Sequence, residues 1–315
     1  MKGKKILVIA GPTASGKSSL ALGVARKCAG VVINADSVQL YSGLPILSAQ
    51  PSPEEQKIVE HKLYSVLSPR ERNTLFDWLD RAGGEIEEAM ARGKLAIVVG
   101  GTGLYISRLM GGVRTGIPGA NSIIREELST LYEELGQDKF FEIVQKIDPE
   151  AVLGVDSGNR QRLLRIYEVY RLSGEKLSEL RKLPNERTID RGRMFLLSIM
   201  PEREILYARC NLRFRNMLNN GAPEEVRLFM KNYPEVFNSS LPVGHTIGFR
   251  EIGSYLRGDL GYEDMIELVS RNTRRYAKRQ YTWFRNQFMD IDYRIDYIPS
   301  EEEIDKIVEK ITDRL

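Results

Sequence analysis

Gly11, Pro12, Thr13, Ala14, Ser15, Gly16, Lys17 and Ser18 match the spacing GxxxxGKS/T, between an apolar run, Ile6 to Ala10, and an Ala/Leu-rich helical stretch. Each residue type has a task in that pattern. The glycines let the backbone wrap an anion, successive N–H groups and a helix N-terminus point at it, Lys17 adds positive charge, and Ser18 offers a hydroxyl to Mg²⁺. The expectation is a site for a diphosphate or triphosphate. The loop alone does not say whether the phosphate is transferred or is the leaving group.

An ordinary P-loop kinase carries an Asp at the end of another strand to help hold the metal. Here the run Leu95 to Val99 leads into Gly100-Gly101-Thr102-Gly103 with no acid. An acid instead follows the run Val31 to Asn34, at Asp36, where open-sheet topology puts it at the carboxyl edge near the loop. Asp36 is a candidate general base or metal-shell ligand, the alternative being a helix N-cap or turn Asp. Thr102 is either a ligand contact or part of a tight glycine turn. Arg209 and Arg213, four apart, share a helix face from which one could reach the phosphate site or form a surface ion pair.

Arg271, Arg274, Arg275, Lys278, Arg279 and Arg285 crowd one helical stretch with Tyr276, Tyr281, Trp283 and Phe284. Basic residues at helical spacing can follow a phosphate backbone, and aromatics can stack on bases. The alternative is a solvated face whose aromatics enter the core. His61 and His245, the only two histidines, make no metal pattern.

The elements that must position these residues begin with short apolar runs alternating with helical stretches, Lys17 to Cys28 and Thr74 to Arg92, which predicts a parallel sheet flanked by helices. From about Thr115 to Arg191 the β-like runs vanish and amphipathic stretches such as Arg125 to Leu135 and Asn159 to Leu172 take over. A β-like run returns at Met194 to Met200. The expected fold class is α/β: a P-loop parallel-sheet core over 1–115 and 192–315, with an inserted all-helical domain over 116–191. Helices are expected near Glu202 to Asn220, from Glu263 to Met289 and from Ser300, with a Gly-rich link at Val243 to Gly253.

The net charge of +3 is too small to argue for a nucleic-acid partner, so that case rests on where the charges lie. There is no run of eighteen apolar residues, so membrane insertion is not expected. The start, Met1 to Lys5 and then Ile6 to Ala10, leads into a glycine loop rather than a cleavage site and reads as a first strand. Cys28 and Cys210 signal neither a disulfide framework nor zinc, which fits a reducing cytoplasm.

Seven segments in order resemble the tRNA dimethylallyltransferases, also called tRNA isopentenyltransferases, of bacterial type. They are GPTASGKS at Gly11, NADSVQLYSGL at Asn34, VVGGTGLY at Val98, NRQRLLRIYEV at Asn159, LRFRNMLNNG at Leu212, HTIGFREI at His245 and TRRYAKRQYTWFR at Thr273. The resemblance implies a P-loop core with an inserted helical domain, together gripping an anticodon stem-loop. It implies transfer of a dimethylallyl group from dimethylallyl diphosphate, with Mg²⁺, to the adenine 3′ of the anticodon. By the same resemblance Asp36 is a general base, Ser18 a metal-shell ligand, Thr102 a contact to tRNA or pyrophosphate, and Arg213 a pyrophosphate clamp.

The residues it implies along tRNA are Asp36, Ser37, Val38 and Gln39, then Thr102 and Arg125. In the helical insert they are Asn159, Arg160, Gln161, Arg162 and Leu163. Towards the C-terminus they are His245, Thr246, Ile247, Gly248, Phe249 and Arg250, then Lys278, Arg279, Gln280, Tyr281, Thr282, Trp283, Phe284 and Arg285. A monomer is expected. Gln50 stands where bacterial relatives often carry a lysine, Asn73 to Trp78 departs from the family pattern, and no zinc-finger tail follows. The competing expectations are a small-metabolite or nucleotide kinase and a nonenzymatic RNA-binding protein.

Overall fold

A computed structural model describes residues 6–114, 116–186, 189–237, 239–288 and 290–315. Its sheet has six strands among the described residues: β1 (Ile6–Ala10), β2 (Gly30–Asn34), β3 (Glu60–Lys62), β4 (Leu95–Gly100), β5 (Met194–Ile199) and β6 (Tyr293–Ile295). All pair in parallel, in the order β3-β2-β4-β1-β5-β6. β1 is central, with Ile9 opposite Val99 on one side and Leu197 on the other. Strands buried on both faces read as unbroken apolar runs. That is why β1, β2, β4 and β5 stand out in the sequence, while Glu60-His61-Lys62 and Tyr293-Arg294-Ile295 at the two edges do not.

The helices in chain order are α1 (Lys17–Lys27), α2 (Pro53–Ile58), α3 (Leu75–Ala91), α4 (Gly103–Gly111), α5 (Ser122–Leu135), α6 (Gln137–Ile147), α7 (Arg160–Ser173) and α8 (Leu177–Leu180). They continue with α9 (Arg203–Asn219), α10 (Ala222–Asn232), α11 (Pro234–Phe237), α12 (Phe249–Leu256), α13 (Tyr262–Gln287) and α14 (Glu301–Thr312). The link expected over Val243 to Gly253 is instead a 3-10 turn, Pro242–His245, followed by the start of α12. Its Phe249 and Ile252 are fully buried, and burial of that apolar face overrides the glycines. Met289, the expected end of the long basic helix, and Thr115 lie outside the described residues, as do Met1 to Lys5.

Two compact units result, one of Met1–Met110 with Ile189–Leu315 and one of Gly111–Thr188. Composition puts the boundaries of the insert at 116 and 191; the compact unit starts and ends a few residues earlier. Its ends are tied by an antiparallel pair, Val113 N–H to Glu186 O at 2.9 Å and Glu186 N–H to Val113 O at 2.7 Å. Such a two-residue bridge leaves no periodicity to read. The helical unit has its own core, including Leu128, Phe140, Val144, Leu163, Val169 and Leu180.

In the larger unit, Leu7, Ile9, Val32, Ile97, Val99 and Leu197 join Leu20 and Val24 of α1 and Ile304, Ile307 and Ile311 of α14 in one core. A Cβ on Gly23 would sit 2.5 Å from Ile304 Cγ2, so α14 seats against α1 only because that position is glycine. The consequence for function is a fixed carboxyl edge. The segments after β1, β2 and β4 converge there, as in other open parallel sheets that bind ligand outside the strand ends.

Candidate active site

The Gly11–Ser18 loop leaves β1 and enters α1 through Gly16, which adopts φ 91° in the left-handed region. No side chain caps α1, so the N–H groups of its first turn are open to an anion, with the helix dipole behind them. Lys17 is buried and curls back over the loop, its Nζ donating to Pro12 O at 2.6 Å. Ser15 Oγ is buried without a hydrogen-bond partner, and Ser18 is exposed on the first turn. Thr13, Ala14, Ser15, Gly16, Lys17 and Ser18 line a cavity of about 420 Å³ together with Asp36, Gln39, Gln50, His61, Tyr64, Arg209, Arg213 and Gln280.

Asp36 opens a turn rather than a helix: one carboxylate oxygen accepts from Val38 N–H at 3.0 Å. The turn is held from two sides. Asn34, at the end of β2 and fully buried, accepts from Asp36 N–H at 2.8 Å and donates to Asp36 O and Leu63 O, both at 2.9 Å. Thr102 Oγ1 accepts from Ser37 N–H at 3.0 Å. Thr102 thus fastens the Asp36-Ser37 turn to the end of β4. The glycines around it serve close approach rather than a turn: a Cβ on Gly100 would lie 2.1 Å from Ala35 O, and one on Gly103 2.2 Å from the Trp283 ring.

α9 and α13 close the opposite side. Arg213 Nη2 donates to Thr13 Oγ1 at 2.6 Å, so the guanidinium is fixed against the phosphate loop, while Arg209 is exposed at the cavity. Gln280 is buried and bridges two strand ends, accepting from Thr13 N–H at 2.8 Å and donating to Gly101 O at 2.7 Å. Gln39 donates to Ser48 O and Ala49 O, and Gln50 donates to Tyr41 O and accepts from Ser65 Oγ. A neutral amide at position 50 therefore braces the cavity wall and adds no charge.

Burial pushes the Lys17 ammonium down from 10.5 to about 7; nearby Arg213 adds to this and Asp36 opposes it. Burial likewise lowers Arg213 and raises Tyr64 and Tyr276, with Asp36 raising both tyrosines further, so they keep their protons. Below about 7 the folded protein bears the full cost of a buried ammonium. The unfolded chain binds more protons between about 7 and 10.5, so stability without ligand rises with pH across that window.

An anion in the loop restores the charged form of Lys17. Pyrophosphate binding at roughly pH 8 is therefore expected to take up close to one proton beyond the ligand's own ionisation. Affinity should weaken as pH rises above about 7. Calorimetry in buffers of different ionisation enthalpy reads the uptake, and proton-neutral binding would contradict it.

The basic residues of α13 divide by face. Arg271, Arg275, Lys278, Arg279 and Arg285 are exposed, whereas Arg274 is half-buried and donates to Asn211 Oδ1 at 2.9 Å. Exposed His245 and Arg250 meet Arg275 and Arg279 around a second cavity of about 310 Å³. Arg275, Lys278, Arg279, Thr282 and Trp283 line a third, of about 670 Å³.

Several residues expected along tRNA do not face solvent. Phe249 and Phe284 are buried, Thr246 is buried with its hydroxyl donating to Val243 O, Gly248 is buried, and Gln280 is spent on the loop. Half-buried Tyr281 packs on Leu206, Cys210 and Ala277, and Trp283 packs on Phe284 and Phe288, so these aromatics belong largely to the core. Ser37, Val38 and Ile247 are half-buried.

In the helical unit, Leu163 is fully buried. Arg125 pairs with buried Glu168 at 2.9 Å, Asn159 caps α7, and Arg160 pairs with Glu133 at 2.9 Å and stacks over Tyr132. Gln161 and Arg162 are exposed. Among the described residues no group of three His, Cys, Asp or Glu could hold a metal. Among them also, no helix is long and apolar enough to cross a membrane.

Known proteins match this chain across nearly its whole length. The IPP transferase family model matches residues 39–287, and an isopentenyl transferase model matches residues 4–65. The tRNA dimethylallyltransferase of Paramagnetospirillum magneticum is 43% identical over 285 residues, 90% of this chain and 88% of the relative. That of Geobacter sulfurreducens is 41% identical over 282 residues, 89% of each. The solved tRNA isopentenylpyrophosphate transferase of Bacillus halodurans superposes with a TM-score of 0.68 at 30% identity, covering 99% of this chain and 96% of that one. A eukaryotic dimethylallyltransferase solved acting on tRNA gives 0.79 at 27% identity, covering 99% and 80%. With a carboxylate after β2, none after β4, and relatives of one kind along its length, the chain belongs to the IPP transferase family.

Proposed function

We propose that this chain transfers a dimethylallyl group from dimethylallyl diphosphate to the exocyclic amine of the adenine 3′-adjacent to the anticodon in tRNAs, releasing pyrophosphate. The observation that carries the reading is that an anion loop and Asp36 line one cavity. The phosphates then belong to the leaving group, and the carboxylate serves the nucleophile.

The adenine amine shares its lone pair with the ring and attacks carbon poorly unassisted. As its nitrogen bonds to the first allylic carbon, that carbon's bond to the diphosphate oxygen breaks and the electron pair leaves with pyrophosphate. Asp36 accepts the amine proton. The loop N–H groups, Lys17 and Arg213 stabilise the charge growing on pyrophosphate. Thr102 holds the Asp36 turn in place through the Ser37 N–H, and a contact from it to tRNA or pyrophosphate is part of the reading.

Ser18, exposed on the first turn of α1, and the Ser15 hydroxyl, buried without a hydrogen-bond partner, are hard oxygen donors of the kind that would suit Mg²⁺ beside bound phosphates. Bound Mg²⁺ would supply charge neutralisation of the departing oxygens, with Ser18 as its protein ligand.

On the larger unit the tRNA anticodon stem-loop would lie along Asp36 to Gln39, the exposed arginines of α13, His245 and Arg250; on the helical unit the expected contacts are exposed Gln161 and Arg162 with half-buried Arg125, Asn159 and Arg160. The target adenine must leave the loop stack to reach the cavity. The buried residues among the expected contacts shape this surface from beneath. The protein acts as a monomer in the cytoplasm.

A direct test is competition between AMP and an unmodified anticodon stem-loop for labelled donor. Preferential labelling of the stem-loop supports the reading, and preferential labelling of AMP contradicts it. A second test concerns the arginines. Arg275→Ala with Arg279→Ala should weaken tRNA binding at low salt and reduce the log–log salt slope by about 1 to 2, since each phosphate contact contributes roughly 0.9. An unchanged slope would remove these residues from the interface.

A further inference from the structure

We infer that Asn34 is a positioning residue for the proposed base, fixing the Asp36 turn and the Tyr64 wall of the cavity through one side chain. This rests on the reading of Asp36 given above. Asn34 is fully buried at the end of β2, yet it is polar, and its side-chain amide makes three hydrogen bonds, all to two segments. Its amide orientation follows from its partners: the oxygen faces an N–H and the nitrogen faces two carbonyls, so the reverse orientation would pair like with like.

One carbonyl is that of Asp36 and the other that of Leu63. Leu63 lies in the left-handed region at φ 63°, as does Ser65 at φ 52°, a conformation that costs a non-glycine residue energy unless surrounding bonds impose it. The bond from Asn34 is such a constraint, and it ties to β2 the segment that puts Tyr64 into the cavity beside Asp36. Asn34 O also accepts from the indole N–H of fully buried Trp78 at 2.9 Å, which anchors the strand end itself. The two links have different consequences: the bonds to Asp36 hold the carboxylate's turn and so serve turnover, and the bond to Leu63 holds a strained segment and so serves stability.

Two substitutions divide the two links. Asn34→Ser places a hydroxyl that can still accept from the N–H two residues on, as serine does in such turns, but cannot reach Leu63. Asn34→Ala loses both. In steady-state prenyl transfer, Asn34→Ala should lower kcat about tenfold, the scale of a sub-ångström misplacement, with KM for donor and tRNA within about twofold of wild type. Asn34→Ser should recover most of that kcat, although both variants lose the Leu63 bond and melt at lower temperature.

Equal kcat loss in both variants, or a wild-type kcat in Asn34→Ala, overturns the inference. So does a KM increase that accounts for the lost rate. If Asn34→Ala does not fold, Asn34→Cys, close in size to serine but a weak acceptor, takes its place: a kcat loss in Asn34→Cys that Asn34→Ser does not share supports the inference, and equal kcat values contradict it. Failure of the wild-type protein to transfer any prenyl group would instead overturn the reading of the reaction.

Discussion

Asp36→Ala is expected to lower turnover by about 10² to 10⁴-fold, or roughly 3 to 5 kcal/mol of barrier, the range for removing one general base. Affinity for tRNA should change little, because one rim carboxylate contributes no attraction to a polyanion. The geometry makes the split clean: the carboxylate uses one oxygen to cap its own turn at Val38, and Asn34 and Thr102 hold the backbone independently of it. Asp36→Asn keeps the cap and removes the base, so it should be as slow as the alanine variant. Single-turnover rates with tRNA in excess, beside filter-binding affinities, check both points. Full turnover in either variant would assign the proton to another group.

Arg213→Ala is the second large effect, with kcat lowered about 10² to 10³-fold, the cost of losing one preorganised donor to developing oxyanion charge. Donor binding should weaken as well, because the guanidinium is already seated on Thr13 at 2.6 Å before any ligand arrives. Burial pushes Arg213 below its ordinary range, and an anionic ligand would offset that cost. Arg213→Lys should recover only part of the rate, since an ammonium cannot bond Thr13 and a phosphate oxygen in the same planar fork. Donor KM and kcat measured for both variants test this; a lysine variant indistinguishable from wild type would show that charge alone suffices.

What the sequence discloses and what it hides follow from physical range. The phosphate loop is legible because its chemistry is local: glycine freedom, one lysine and one hydroxyl within eight consecutive residues. The four central strands are legible because burial on both faces leaves apolar runs. Topology brings Asp36 and Thr102 to one edge, since residues after adjacent parallel strands share it.

The supports of the site are not legible. Gln280 meets Thr13 across 267 positions and Asn34 meets Leu63 across 29, and nothing in either neighbourhood marks a partner. For Asn34 the one available signal was a polar residue closing an apolar strand. The basic helix carries both possible readings at once: its arginines are mostly on the outer face, while Phe284 and most of the aromatic surface serve the core. Charge and apolar area sit on different faces of one helix, and a residue list without periodicity merges them.

One incubation tests prenyl transfer most directly: purified protein, Mg²⁺, labelled dimethylallyl diphosphate and an unmodified tRNA with adenine 3′ of its anticodon, with label counted in RNA and mapped by nuclease digestion. The expected result is label on that adenine with release of an equal amount of pyrophosphate. An unlabelled tRNA, with ATP turned over in a parallel reaction, would contradict it and assign the loop to a kinase.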